Sequence, residues 1–170
     1  QDSDAWRSGL TEGSKAAVPH KSEGAAPRTL VIAAAGTGGH VMPGLAVARV
    51  MRERGWRIVW VGTTTGMEER LVARDGIEFH PLNFQGVRGR GLMGALKGGV
   101  KMMKAIWDAR GLLKSVRPDL VFSTGGYVAV PTGFAAQSLH RPIVLMNCDA
   151  DLLLSTNTLM PFTSALACGF

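Results

Sequence analysis

The sequence predicts an α/β fold with a doubly wound parallel sheet, on three observations. Short apolar runs alternate with stretches of helical periodicity from Arg28 onward, the connections between them are short, and glycines cluster where a run gives way to a helix, at Gly36–Gly39 and Gly125–Gly126. Such alternation implies right-handed crossovers with helices on both faces of one sheet. The length of 170 residues and a 46% share of hydrophobic residues suit a single domain with a real core.

Residues 1–27 are rich in Ser, Gly, Ala, Lys and Glu without lasting periodicity. They are expected to be a disordered leader, and a chain starting at Gln1 suggests a processed or truncated terminus. Residues 28–170 form the expected domain. Thr29–Ala35 is an apolar run ending in glycines, as a buried parallel strand does. Pro43–Arg54 has helical spacing (Leu45, Val47, Ala48, Met51) and Gly55 as its stop. Arg57–Val61 reads as a strand, Gly66–Arg74 as a short helix and Ile77–Leu82 as a third strand. A Gly/Arg-rich loop then leads into a long helix from about Gly94 to Val116. Leu120–Phe122 is a fourth strand opening into a Ser123–Gly126 loop, Val128–Leu139 a helix, and Ile143–Met146 a fifth strand. Leu152–Met160 reads as helix and Ala165–Ala167 as a sixth strand. In such sheets ligands bind beyond the carboxyl ends of the strands. The loops at Gly36, Gly62, Phe84, Gly125 and Asn147 should therefore share one mouth.

Composition narrows the chemistry. The formal net charge is +6, and Arg88–Arg117 holds eight basic residues against Asp108 alone, so the rest of the chain is nearly neutral. Cys148 and Cys168 are too few and too far apart for a zinc knuckle or a disulfide framework. They are expected to be buried free thiols. No apolar run reaches the length of a bilayer span.

Ala35-Gly-Thr-Gly-Gly-His40 joins the first strand to the first helix. Glycines there let backbone approach a ligand, and the free N–H groups of a helix start favour an anion. The dinucleotide fingerprint fails, because the position of its third glycine is Val41 and the second strand ends without an acid. No Gly-Lys-Ser/Thr follows, so the ATPase phosphate loop is absent too. A phosphate loop of another kind is expected, with a purely structural tight turn as the alternative. His40 is its reactive side chain: either a general base, or a group that caps the loop or orients a phosphate without moving protons. Ser123-Thr-Gly-Gly-Tyr127 repeats the logic after the fourth strand. Two such loops facing one crevice suit a diphosphate.

On a helical wheel Leu92, Leu96, Val100, Met103 and Trp107 form one stripe, with Lys97, Lys101 and Lys104 beside it. Together with Arg88, Arg90 and Met93 in the preceding loop, this points to an anionic membrane surface as partner. The alternative is that the stripe packs on the sheet and the lysines are merely solvated. Nucleic acid is disfavoured, since the chain has one tyrosine and this segment offers only Trp107 for stacking.

Taken together, the chain resembles the N-terminal half of the bacterial MurG-type N-acetylglucosaminyltransferases, which convert lipid I to lipid II in peptidoglycan synthesis. The resemblance runs from about Thr29 to Phe170. It rests on Gly36-Thr-Gly-Gly-His-Val-Met-Pro-Gly-Leu-Ala46, on Gly62-Thr63 with Met67-Glu68 and Leu71-Val72, on Gly86-Val-Arg-Gly-Arg-Gly91, and on Arg117-Pro-Asp-Leu-Val121 leading to Gly125-Gly-Tyr-Val128. It implies a GT-B glycosyltransferase of two Rossmann-like domains, inverting at the sugar, with no cofactor and no metal for chemistry. The N-terminal domain would meet lipid I on the cytoplasmic face of the inner membrane as a peripheral protein, and a C-terminal domain, in cis or in trans, would hold most of the UDP-GlcNAc. Carried over residue by residue, Thr37, Gly38 and Gly39 would approach the substrates, His40 would be the candidate base, and Gly125, Gly126 and Tyr127 would cradle the lipid diphosphate. One departure stands out. Where the family reads His-Glu-Gln-Asn after the fifth strand, this chain reads Met146-Asn-Cys-Asp149, so Asp149 takes the place of an asparagine near the donor. A non-catalytic, truncated or degenerate docking module of the same fold is the alternative reading.

Overall fold

The computed structural model describes residues 26–64, 66–84, 92–147 and 154–168, and within these the side chains of all but 92–95, 154–156 and 168. Among the described residues six parallel strands form one sheet: β1 (Thr29–Ala34), β2 (Arg57–Gly62), β3 (Glu78–Pro81), β4 (Leu120–Gly125), β5 (Ile143–Asn147) and β6 (Ala165–Cys168). Their spatial order is β3-β2-β1-β4-β5-β6. The helices are α1 (Gly38–Glu53), α2 (Glu68–Arg74), α3 (Leu92–Val116), α4 (Ala129–Ser138) and α5 (Leu154–Leu159), the last running into a 3-10 turn at Met160–Phe162. The chain winds outward from β1 to β3, returns beside β1 with β4, and winds outward the other way. That reversal opens a crevice at the carboxyl ends of β1 and β4.

Every residue of β1 is buried, so its alternate side chains serve two cores. Leu30, Ile32 and Ala34 join Ile58, Trp60 and Phe122 under Val41, Leu45 and Ala48 of α1 and Val72 of α2. Val31 and Ala33 join Val59, Val61, Val121, Ile143 and Leu145 under α3, α4 and Leu159 of α5. The sheet is thus covered on both faces, as the alternating pattern predicts.

The structure corrects several boundaries. The first helix starts at Gly38, five residues before the expected Pro43. Thr37 has extended backbone and caps it, and Pro43 lies inside, where it forfeits only the bond to the Gly39 carbonyl. The fourth strand does not open into a loop at Ser123 but pairs with β1 as far as Ala34↔Gly125. The register shifts between Ala33 and Ala34, which leaves Thr124 as an extra residue on β4. The second helix starts at Glu68 rather than Gly66, and β3 stops short of Ile77 and Leu82 at the two ends assigned to it. The Arg117-Pro-Asp motif is structural. Arg117 takes a left-handed φ of 51° after α3, and the Asp119 carboxylate accepts the Thr29 N–H at 2.7 Å, tying the starts of β4 and β1.

The third helix settles which stripe packs. Ala105, Ala109 and Leu113 are buried, flanked by Met102, Leu112 and Val116 at helical spacing. Leu96, Val100, Met103 and Trp107 stand on nearly the opposite side, each more than half exposed. The sequence carries two apolar stripes on one helix, and the small alanines, which permit close approach to the sheet and α4, take the inside.

Some expectations fall outside the described residues: the leader as far as residue 25, Arg88, Arg90, Cys148 and Asp149, and the side chains of Leu92, Met93 and Cys168.

Candidate functional site at the strand switch point

The crevice between β1 and β4 is built from the ends of these two strands and the backbone that follows them. After Ala35, Gly36 turns the chain with φ of 106°, a conformation side chains rarely adopt. Thr37 then begins α1 without spending its side chain on the helix, so the Gly38 and Gly39 amides keep their capacity for a ligand. The carbonyl of Thr37 accepts the N–H groups of His40 and Val41 at 3.1 and 3.2 Å. His40 therefore sits in the first turn of α1, at the carboxyl-end edge of the sheet.

The second glycine loop abuts the first. Gly125 and Gly126 have φ of 107° and 86°, and a Cβ added at Gly126 would run into the Ala35 carbonyl oxygen. Thr124, the extra residue of β4, donates its hydroxyl to the His40 carbonyl at 2.6 Å. The two loops are thus joined by a hydrogen bond and by backbone contact that only glycine allows. Tyr127 follows at the rim and is half exposed.

Beneath this surface the end of β1 is fixed from both sides. Ser123 donates its hydroxyl to the Ala33 carbonyl at 2.8 Å, and the Trp60 indole N–H donates to the Ala34 carbonyl at 3.0 Å. Trp60 is fully buried and fits because Gly44 of α1 leaves room; a Cβ there would lie 2.7 Å from the indole. Side chains from the neighbouring strands thus hold the carbonyls that precede the glycine loop, which favours a pre-organised site.

The His40 ring is half buried. Its Nδ1 is sealed with no hydrogen-bond partner, so Nε2 is the ring nitrogen left to meet a ligand. The structure places Thr37, Gly38, Gly39, His40, Gly125, Gly126 and Tyr127 at one edge of the sheet. It places Lys97, Lys101, Lys104, Leu96 and Trp107 on a separate surface, the outer side of α3. Residue-by-residue reading missed the supports: Trp60 passed as a strand residue and Thr124 as loop. Their signal was position, an indole one strand away from a glycine turn and a hydroxyl beside a glycine pair. Two surface hollows, one lined by Leu113, Lys114, Arg117, Leu139 and Arg141 and the other by Arg49, Arg52, Glu53 and Asp75, lie at the opposite end of the sheet, where the helices finish. Among the described residues no helix is long and apolar enough to cross a membrane.

The model of the glycosyltransferase family 28 N-terminal domain matches residues 30–167. The chain belongs to this family. A family 28 assignment agrees with relatives of high identity. A UDP-N-acetylglucosamine–N-acetylmuramyl-(pentapeptide) pyrophosphoryl-undecaprenol N-acetylglucosamine transferase from Chromobacterium violaceum is 51% identical over 145 residues, covering 85% of this chain and 40% of the relative. The transferase of the same name from Janthinobacterium sp. (strain Marseille) is 46% identical over 143 residues, covering 84% and 40%. Among solved structures, that of Acinetobacter baumannii MurG superposes with a TM-score of 0.76 at 36% identity, covering 85% of this chain and 42% of that one. The family 28 chain described here spans about 40% of the length of these curated relatives. A glycosyltransferase of kitacinnamycin shares the fold alone, at 17% identity and a TM-score of 0.54.

Proposed function

We propose that this chain is the acceptor- and membrane-binding part of an enzyme that moves GlcNAc from UDP-GlcNAc to lipid I. The observation that supports the reading is the joined pair of glycine loops with His40 in the first turn of α1, because it offers a diphosphate the backbone N–H groups of Gly38, Gly39 and Gly126 (that of Gly125 is held by the Ser123 hydroxyl at 3.2 Å) and the acceptor hydroxyl one imidazole. In the proposed step the acceptor oxygen attacks the anomeric carbon, the bond from that carbon to UDP breaks, and the configuration inverts. The hydroxyl proton passes to His40 Nε2, and the electron pair of the broken bond leaves with UDP. Thr37, Gly38 and Gly39 border the reacting groups, while Gly125, Gly126 and Tyr127 hold the lipid diphosphate. A C-terminal domain, in cis or in trans, binds most of the UDP-GlcNAc, and Asp149, in the sequence place of an asparagine near the donor, is a candidate donor contact. No cofactor or metal enters this scheme.

The exposed stripe of α3 supports docking on the cytoplasmic face of the bacterial inner membrane. Leu96, Val100, Met103 and Trp107 enter the interface, joined by Leu92 and Met93 from the start of the same helix, while Lys97, Lys101 and Lys104, with Arg88 and Arg90 from the preceding segment, pair with anionic headgroups.

The test is transfer itself. The chain, supplied with a C-terminal domain, UDP-GlcNAc and a lipid I analogue, should transfer GlcNAc. Its His40→Ala variant should lose at least about a hundredfold in kcat with little change in acceptor affinity. A raised acceptor KM at normal kcat would instead make His40 a phosphate donor. Absence of transfer with any such partner would leave the docking-module alternative standing.

A further inference from the structure

The turn between β2 and α2 carries a carboxylate for which the transfer reaction has no use. Glu68 is fully buried, which is rare for an acid. Its Oε1 accepts the Thr63 backbone N–H at 2.8 Å and the Thr63 hydroxyl at 2.6 Å, while Oε2 is buried without a partner. The chain closes tightly around it. A Cβ at Gly66 would overlap the carboxylate, and one at Gly62 would lie 2.8 Å from the Glu68 Cγ.

Burying a carboxylate held through one oxygen is a costly way to fill space that an apolar side chain would fill more cheaply. What the acid adds is direction. It ties Thr63, just beyond the end of β2, to the first turn of α2 and so fixes the start of that helix against the strand end. Met67, the residue before it, is turned outward. It is about half exposed, and its sulfur lies 3.9 Å from the point where a side chain on Gly38 would begin. Met67 therefore stands as a wall beside the Thr37–Gly39 loop.

We propose that Thr63 and Glu68 form a buried latch that positions the β2–α2 turn, and that Met67, held by it, is an apolar contact for the acceptor sugar over the glycine loop. This rests on the acceptor-site reading above. A thioether on a flexible stem packs well on the C–H face of a sugar ring or an acyl methyl. Glu68 acts through Met67 and is a positioning residue, while Met67 touches substrate.

Two readouts test the latch. In the chain itself, Glu68→Ala should speed amide hydrogen exchange in residues 62–67 and 36–40 by about tenfold or more, the scale for losing two hydrogen bonds, with β4 and β5 still protected. Glu68→Gln keeps an acceptor for Thr63 and should stay within about twofold of the parent. In the transferase assay, Glu68→Ala and Met67→Ala should each raise the acceptor KM about five- to tenfold while kcat and the donor KM hold. Met67→Ala should do so without faster exchange at Thr63, which covers the case in which Glu68→Ala does not fold. Parent-like exchange at 36–40 in Glu68→Ala, or an unchanged acceptor KM in Met67→Ala, would overturn the proposal. If the parent assembly transfers no GlcNAc, the functional reading fails, and the exchange measurement still decides the latch.

Discussion

Gly126 and Gly36 have similar backbone angles but different surroundings, and the difference is measurable. Both lie in the left-handed region, yet a Cβ at Gly36 meets nothing within 4 Å, whereas one at Gly126 collides with the Ala35 carbonyl. Gly36→Ala should therefore carry only the backbone strain, about 1–2 kcal/mol, and Gly126→Ala should cost clearly more in urea unfolding. Equal losses would mean that the two loops do not touch. The acid Asp75 gives a pH-dependent case. Arg49 holds its carboxylate by bonds of 2.8 and 3.2 Å and Arg52 donates to its carbonyl, joining the ends of α1 and α2. The Arg49 hydrogen bond keeps the Asp75 carboxyl below its ordinary pKa. A depressed folded-state value stabilises the protein above the unfolded pKa, and that contribution disappears as pH falls through the folded one. Asp75→Asn should thus lower the urea midpoint slightly at pH 7, because Arg49 is exposed, and the gap from the parent should close below about pH 4.

At the scale of one element, α3 makes two faces that respond oppositely to the same kind of change. Leu113 is buried, so Leu113→Ala should destabilise by about 2–4 kcal/mol. Trp107 is 67% exposed, so Trp107→Ala should shift stability by less than about 0.5 kcal/mol yet weaken vesicle binding. Neutralising Lys97, Lys101 and Lys104 to Gln should weaken co-sedimentation with anionic vesicles and leave any binding to neutral vesicles unchanged. Equal binding of the parent to both vesicle types would remove the electrostatic part of the reading. This helix also shows what periodicity can and cannot tell. Leu96, Val100, Met103 and Trp107 have the spacing of a buried stripe, and so do Met102, Ala105, Ala109 and Leu113. Side-chain size and the proximity of α4 decided which went inward, and neither is a property of the helix alone. The start of α1 had the same kind of ambiguity. Pro43 looks like a first-turn residue, but Thr37, with its extended backbone, is where the helix begins.

At the scale of the molecule, the strand and helix sequence was legible almost throughout, because a parallel sheet covered on both faces leaves continuous apolar runs that other folds seldom produce. The position of the mouth followed from that order, since the carboxyl ends of parallel strands share one edge. The meeting of Gly126 with Ala35, the Thr124 bond to the His40 carbonyl and the indole under Ala34 were not legible. Each depends on strand register, and the shift at Thr124 changes that register by one residue without any mark in composition. The reaction proposed for this edge needs an opposing surface for the nucleotide sugar. In the relatives that match at 40% of their length, most of the protein lies beyond the matched part.

Trp60 and Trp107 give these two surfaces separate optical signatures. The first is sealed in the core with its N–H bound to the carbonyl before the glycine loop, and the second stands in solvent on α3. Emission from the buried indole should lie to the blue and respond to loosening of the loop base. Emission from the exposed one should lie to the red and move blueward when α3 enters lipid. With the other two indoles, Trp6 and Trp56, replaced by phenylalanine, loosening at the mouth and contact with a bilayer can then be followed by their own colours in one cuvette, without a label.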